Sequence, residues 1–125
     1  MDTIAISKLG TIGIVNIAQM LAAGRTPESR KRLADEAGIP PDIILELVKL
    51  SDLARIEGVK HKRARLYYEA GVDCPETAAR WEPGDLRKML VEFVERSGFD
   101  GIAPLPKEVQ HFVRTARMLP KIVEY

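Results

Sequence analysis

Leu53-Ala-Arg-Ile-Glu-Gly-Val-Lys-His-Lys-Arg-Ala-Arg-Leu-Tyr-Tyr-Glu-Ala-Gly-Val72 is the stretch whose reading decides the fold. Ser51-Asp52 just before it has the chemistry of a helix cap, and Leu53 and Ile56 then fall on one face of a short helix that stops before Gly58. Glycine at that position permits a tight reversal, because it reaches positive φ without steric cost. A second helix follows from Lys62 to Ala70, and Gly71 ends it. The spacing therefore predicts two short helices over Ser51 to Ala70, joined by a turn at Gly58 to His61.

The same punctuation runs outward in both directions. Thr26-Pro27-Glu28 reads as an N-cap followed by proline at the first helical position, with Leu33, Ala34 and Ala37 on one face before Gly38. Pro40-Pro41-Asp42 restarts the chain into a core helix carrying Ile43, Ile44, Leu47, Val48 and Leu50. Downstream, Pro75 opens a helix with Ala78, Ala79 and Trp81, and Glu82-Pro83-Gly84 breaks it. Asp85 is read as the cap of a longer helix with Leu86, Met89, Leu90, Phe93 and Val94, ended by Gly98. Pro106 opens the last helix, with Val109, Phe112, Val113, Ala116 and Leu119, and Pro120 stops it. Thr11 to Val15 is the one candidate strand, and Asn16 to Ala23 continue it more naturally as helix.

The two halves also line up. Leu9-Gly10-Thr11 matches Ala70-Gly71-Val72, Ala18 matches Ala79, and Ala37-Gly38-Ile39 matches Ser97-Gly98-Phe99. Pro41 matches Pro106 if Asp100 to Pro104 is a small insertion. The expectation is an all-α chain forming one helical domain over 1–125, with a degenerate internal duplication of repeats 9–50 and 70–119 around a hairpin at 51–71.

Residues 53–72 resemble the helix-hairpin-helix motif, in which two short helices and a glycine-bearing turn present backbone amides to one phosphate. Ile56, Gly58, Val59, Lys62, Ala64, Leu66, Ala70, Gly71 and Val72 match its pattern. In that resemblance Val59 fills the gap between the helices and Ala64 allows their close approach. Lys60 stands where the motif has its second glycine, and a side chain in a left-handed turn costs roughly a kcal/mol or more. Beyond the motif, the chain from about Thr26 to Leu119 is similar to a bacterial family catalogued as a domain of unknown function, the one numbered four-three-three-two and described as helix-hairpin-helix-like. Arg32-Leu33-Ala34, Gly38-Ile39, Ser51-Asp52-Leu53 and Ala70-Gly71-Val72-Asp73 carry the likeness. It implies a fold and no activity.

Composition bounds the function. The 19 Lys and Arg against 18 Asp and Glu leave a net charge of +1, so any attraction for polyanions must be local. Met1-Asp2-Thr3 opens acidic, and Lys8, Gly10, Gly13, Asn16 and Gln19 interrupt the apolar segment up to Leu21. Neither a signal peptide nor a membrane span is expected. The single cysteine, Cys74, cannot bridge within the chain, which suits a reducing cytoplasm. Cys74 lies before Pro75 at a helix start, but neither His61 nor His111 is tied to it by a motif, so no nucleophile is expected. The two histidines are isolated from other ligands, and no metal or other cofactor is expected. With no carboxylate pair, nucleophile elbow, phosphate-binding glycine loop or dinucleotide fingerprint, neither an enzyme nor a small-molecule substrate is expected.

Two binding functions remain open. Gly58, Val59, Lys60, His61, Lys62, Arg63 and Arg65, with Arg55 beside them, form a basic cluster at the turn, where a helix start also favours anions. They are the candidate contacts to a DNA or RNA phosphate backbone, made without base readout. Tyr67 and Tyr68 are candidates for base stacking, although one of them must face the core at this spacing. The alternative is a scaffold binding a protein or a second copy of itself through the apolar amino-terminal segment of Ile4, Ile6, Ile12, Ile14, Val15 and Ile17.

Overall fold

Proline and short polar side chains fix where the helices begin. The structure, a computed structural model describing residues 3–125, contains eight α-helices and no strand among those residues. They are α1 (Thr3–Thr11), α2 (Ile17–Ala23), α3 (Pro27–Ala37), α4 (Pro41–Ala54), α5 (His61–Glu69), α6 (Pro75–Ala79), α7 (Pro83–Ser97) and α8 (Pro106–Met118). Pro27, Pro75, Pro83 and Pro106 each sit in a first turn, where a missing N–H leaves no helical bond unmade. Thr26 and Ser29 form a reciprocal capping box, each side chain accepting from the other's backbone N–H at 3.1 and 2.9 Å. Gly38 and Gly98 end α3 and α7 in the left-handed region, at φ 66° and 70°.

The chain divides into two compact units, 1–52 with 121–125, and 53–120. The boundary falls inside α4, whose last two residues count with the second unit. In the first unit, Ala5, Leu9, Met20, Leu21, Leu33, Ala34, Ile44, Leu47 and Val48 bury their side chains together, and Val123 from the terminal segment joins them. The close approach within that core depends on Gly24, where a Cβ would lie 2.3 Å from a Val48 methyl. Two charged residues are buried among these side chains. Arg30 donates to the carbonyls of Gly24 (2.9 Å), Glu124 (2.8 Å) and Tyr125 (3.3 Å), and Asp52 accepts from the Tyr125 hydroxyl at 2.7 Å.

In the second unit α8 packs on α6 and α7. Val109, Phe112, Val113 and Ala116 form the buried stripe of α8 at helical spacing, and Leu86 and Leu90 supply that of α7. Tyr67 of α5 stacks on Phe112, ring centroids 3.9 Å apart and planes 7° from parallel. Arg117 of α8 donates to the carbonyls of Ala79 (3.1 Å) and Trp81 (2.9 Å), which satisfies the end of α6.

Four local readings of the sequence need correction. No new helix starts at Ser51: α4 runs unbroken from Pro41 to Ala54, and Asp52, buried within it, accepts from the Tyr125 hydroxyl. Glu82, not Asp85, caps α7, and its carboxylate accepts from the Asp85 N–H at 2.9 Å. Thr3–Thr11, where no helix was anticipated, is α1. Gly10 lies inside it, and the corner residue with positive φ is Gly13, at 89°. Trp81, placed on a helix by its spacing, lies just past α6 and is half-buried, whereas Phe112 is fully in the core.

Candidate phosphate-binding turn

Leu53 and Ala54 end α4, residues 55–60 connect, and His61 opens α5. Leu53, Ile56 and Val59 are all buried, so the connector is anchored by its apolar residues while the polar ones point outward. Two of its amides are used within the turn: Ile56 N–H donates to Leu53 (3.1 Å) and Val59 N–H to Ile56 (3.0 Å). Gly58 has φ 87°, which a side chain would strain. Lys60 does not need such freedom. Its φ of −96° and ψ of 177° are ordinary extended backbone, so the strain anticipated from the missing second glycine does not arise.

That extended geometry makes Lys60 the N-cap of α5, and it changes the electrostatics of the helix start. A lysine cannot accept a hydrogen bond, and no side chain caps this terminus. The first helical bond beyond it is Ala64 N–H to Lys60 carbonyl, 2.9 Å, so the amides of His61, Lys62 and Arg63 precede the intrahelical ladder. No acidic residue lies in this first turn, and Lys60, His61 and Lys62 are exposed around it. The arrangement concentrates three orphan donors, the positive end of the helix dipole and two full positive charges in one place.

The other expected contacts have different surroundings. The Arg63 guanidinium is hydrogen-bonded at all three nitrogens: Nε to Glu108 Oε2 at 2.6 Å, Nη2 to Glu108 Oε1 at 3.4 Å, and Nη1 to the Ile102 carbonyl at 2.5 Å. It ties α5 to α8 and to the loop after α7. Arg55 donates to the Pro120 carbonyl at 2.8 Å, and Arg65 lies over the Tyr68 ring, 5.8 Å from its centroid. Val59 is buried and contributes packing. His111 Nε2 lies 3.1 Å from the Glu57 carbonyl and so holds the connector from α8.

Tyr67 is the tyrosine that faces the core, and its hydroxyl is buried without a hydrogen-bond partner among the described residues. Burial holds that hydroxyl protonated well above the usual tyrosine range; the Glu108 charge adds to the effect and Arg63 offsets part of it. Cys74 caps α6 without a side-chain bond to the backbone, with its sulfur 3.3 Å from the Thr77 hydroxyl. Among the described residues no His, Cys, Asp and Glu cluster could hold a metal, and no helix is long and apolar enough to cross a membrane.

A family model described as Domain of unknown function (DUF4332) matches residues 4–119. The chain belongs to that family. No curated protein and no solved structure matches it. The match takes in α2 through α8 whole and therefore the entire turn. In this DUF4332 chain the surroundings of the turn come from residues far away in sequence, Ile102, Glu108 and His111, which sequence reasoning did not connect with it. A signal existed only for His111 and Glu108. Both lie on the exposed or half-exposed side of a strongly amphipathic α8, but nothing in the spacing says which neighbour they meet.

Proposed function

We propose that the chain is a non-enzymatic binding module whose α5 terminus receives a phosphate of a DNA or RNA backbone, without reading base sequence. The observation that carries this reading is the uncapped start of α5, with Lys60, His61 and Lys62 exposed around it and no acid in the first turn. Backbone amides and lysines recognise phosphate alone, and α5, nine residues long, is short for a recognition helix that lies along a groove. Arg63 acts as a positioning residue, since its guanidinium is committed to Glu108 and Ile102. A single cysteine unable to bridge within the chain fits a reducing bacterial cytoplasm.

With only about two phosphates engaged, binding is weak, and its log-log dependence on salt has a slope of roughly −2. Fluorescence anisotropy of a labelled oligonucleotide at two salt concentrations tests this. The double variant Lys60→Glu/Lys62→Glu loses the binding while circular dichroism stays unchanged. Binding that ignores salt, or that survives the double reversal, overturns the reading.

One further observation favours self-association as a second function. Ile6, Ile12, Val15 and Ile17 of the amino-terminal segment are exposed, Val15 by 74%, although the segment also buries Ala5 and Leu9. Sedimentation at micromolar concentration reads the outcome: a concentration-dependent dimer that Val15→Ser/Ile17→Ser disrupts supports it, and a monomer removes it.

A further inference from the structure

Beside the α5 terminus, Lys62, Arg63, Phe99, Gly101 and Ile102 line a cavity of about 300 Å³. Its chemistry is divided. Phe99 and the largely exposed Ile102 give it apolar walls, while Lys62 belongs at once to the cavity and to the first turn of α5. Arg63 holds the wall in place through the Ile102 carbonyl, and Arg87 fixes the same loop through the Pro104 carbonyl at 3.1 Å. Gly101 keeps the cavity open. A Cβ there would lie 3.2 Å from Phe99 Cε1 and 3.3 Å from Lys62 Cε, tighter than ordinary contact, and Gly101 is not among the glycines with positive φ, so the missing side chain matters for space and not for backbone shape.

We propose that this cavity receives one unstacked nucleobase, so that the ligand of the α5 terminus is a single-stranded polynucleotide. The inference rests on the phosphate reading above and names its substrate class. A nucleotide carries a flat ring with a stacking face one sugar away from an anion, and the cavity sets aromatic and aliphatic walls beside Lys62. Aromatic side chains take any of the bases by stacking, which preserves sequence independence. A paired base cannot enter without being extruded from its duplex, at a cost of a few kcal/mol, so a duplex binds by its backbone alone.

The test compares three labelled probes at low salt: a thymidine 12-mer, an abasic 12-mer with the same backbone, and a 12-base-pair duplex. The thymidine strand binds roughly tenfold more tightly than the abasic strand or the duplex, as expected for one stacked base. Gly101→Val, which puts a branched side chain between Phe99 and Lys62 and narrows the cavity, brings its affinity down to that of the abasic strand, and Ile102→Ala, at a position too exposed to affect folding, lowers it several-fold. If all three probes bind equally and neither variant changes them, the base pocket is refuted while backbone binding stands. If no probe binds at all, the phosphate reading itself has failed and the pocket goes with it.

Discussion

The two units solve the same corner in the same way and then treat buried polar groups differently. At the end of α1, Ile14 N–H reaches back to Leu9 (3.0 Å) across Gly13; at the end of α5, Val72 N–H reaches back to Tyr67 (2.8 Å) across Gly71, whose φ is 100°. Each corner leads to a short helix, a proline-started helix, a left-handed glycine and a last proline-started helix. The buried charges of the first unit are tied down: Arg30 has three carbonyl acceptors and Asp52 a tyrosine hydroxyl. In the second unit the ion pair of Arg63 and Glu108 stays partly exposed, and the Tyr67 hydroxyl is buried without a partner among the described residues. The buried polar side chains of the first unit are therefore paired, whereas in the second a buried hydroxyl is left without a partner among the described residues.

The largest effect of that difference is expected at Arg30. Arg30→Met keeps the apolar stem but removes the guanidinium that reaches three carbonyls, that of Gly24 in a buried contact, so urea denaturation should show a loss of about 3 kcal/mol. Tyr125→Phe comes next. It keeps the ring under the Arg30 and Lys49 cations, 5.5 and 5.4 Å from its centroid, and removes only the donor to Asp52, for a loss of about 1–2 kcal/mol. The same chemical change in the other unit should have the opposite sign. Tyr67→Phe deletes a hydroxyl that has no partner, and stability stays level or rises by up to about 1 kcal/mol. Equal losses from the two tyrosines would contradict the contrast.

The smallest effect separates the two caps by pH. The Asp85 and Gly84 amides hold the Glu82 carboxyl below its ordinary 4.5, whereas Thr26, the cap of α3, does not titrate. A carboxyl with a depressed folded pKa contributes its stabilisation above 4.5 and loses it as the pH falls through the lower folded value. The difference in melting temperature between the native chain and Glu82→Ala should therefore shrink in acid, and that between the native chain and Thr26→Ala should not.

Much of this architecture was legible in the sequence because its signals are local. α3, α7 and α8 each combine a proline start with an apolar stripe, and αL glycines close the first two. α1 was hidden because its isoleucines do not mark the buried face. Ala5 and Leu9 turn inward while Ile4 and Ile6 are exposed, so hydrophobicity and burial disagree. Ser51-Asp52 imitated a cap because nothing local reveals that Asp52 meets Tyr125. At the candidate site, Gly58 and the basic run could be read directly, and so could the doubt over Lys60, which its extended backbone removes. The commitment of Arg63 to Glu108 could not be read, since pairing across two helices leaves no trace in spacing.

The central claim is that phosphate is held at one place, the start of α5, and not by the charge of the chain as a whole. Two double reversals of equal charge separate these possibilities: Lys60→Glu/Lys62→Glu in the second unit, and Lys31→Glu/Arg32→Glu on the exposed side of α3 in the first. In a low-salt anisotropy titration with the thymidine 12-mer, we expect the first pair to abolish binding and the second to leave it within about twofold of the native chain. Equal weakening by both pairs, or by neither, would contradict a phosphate site at the turn.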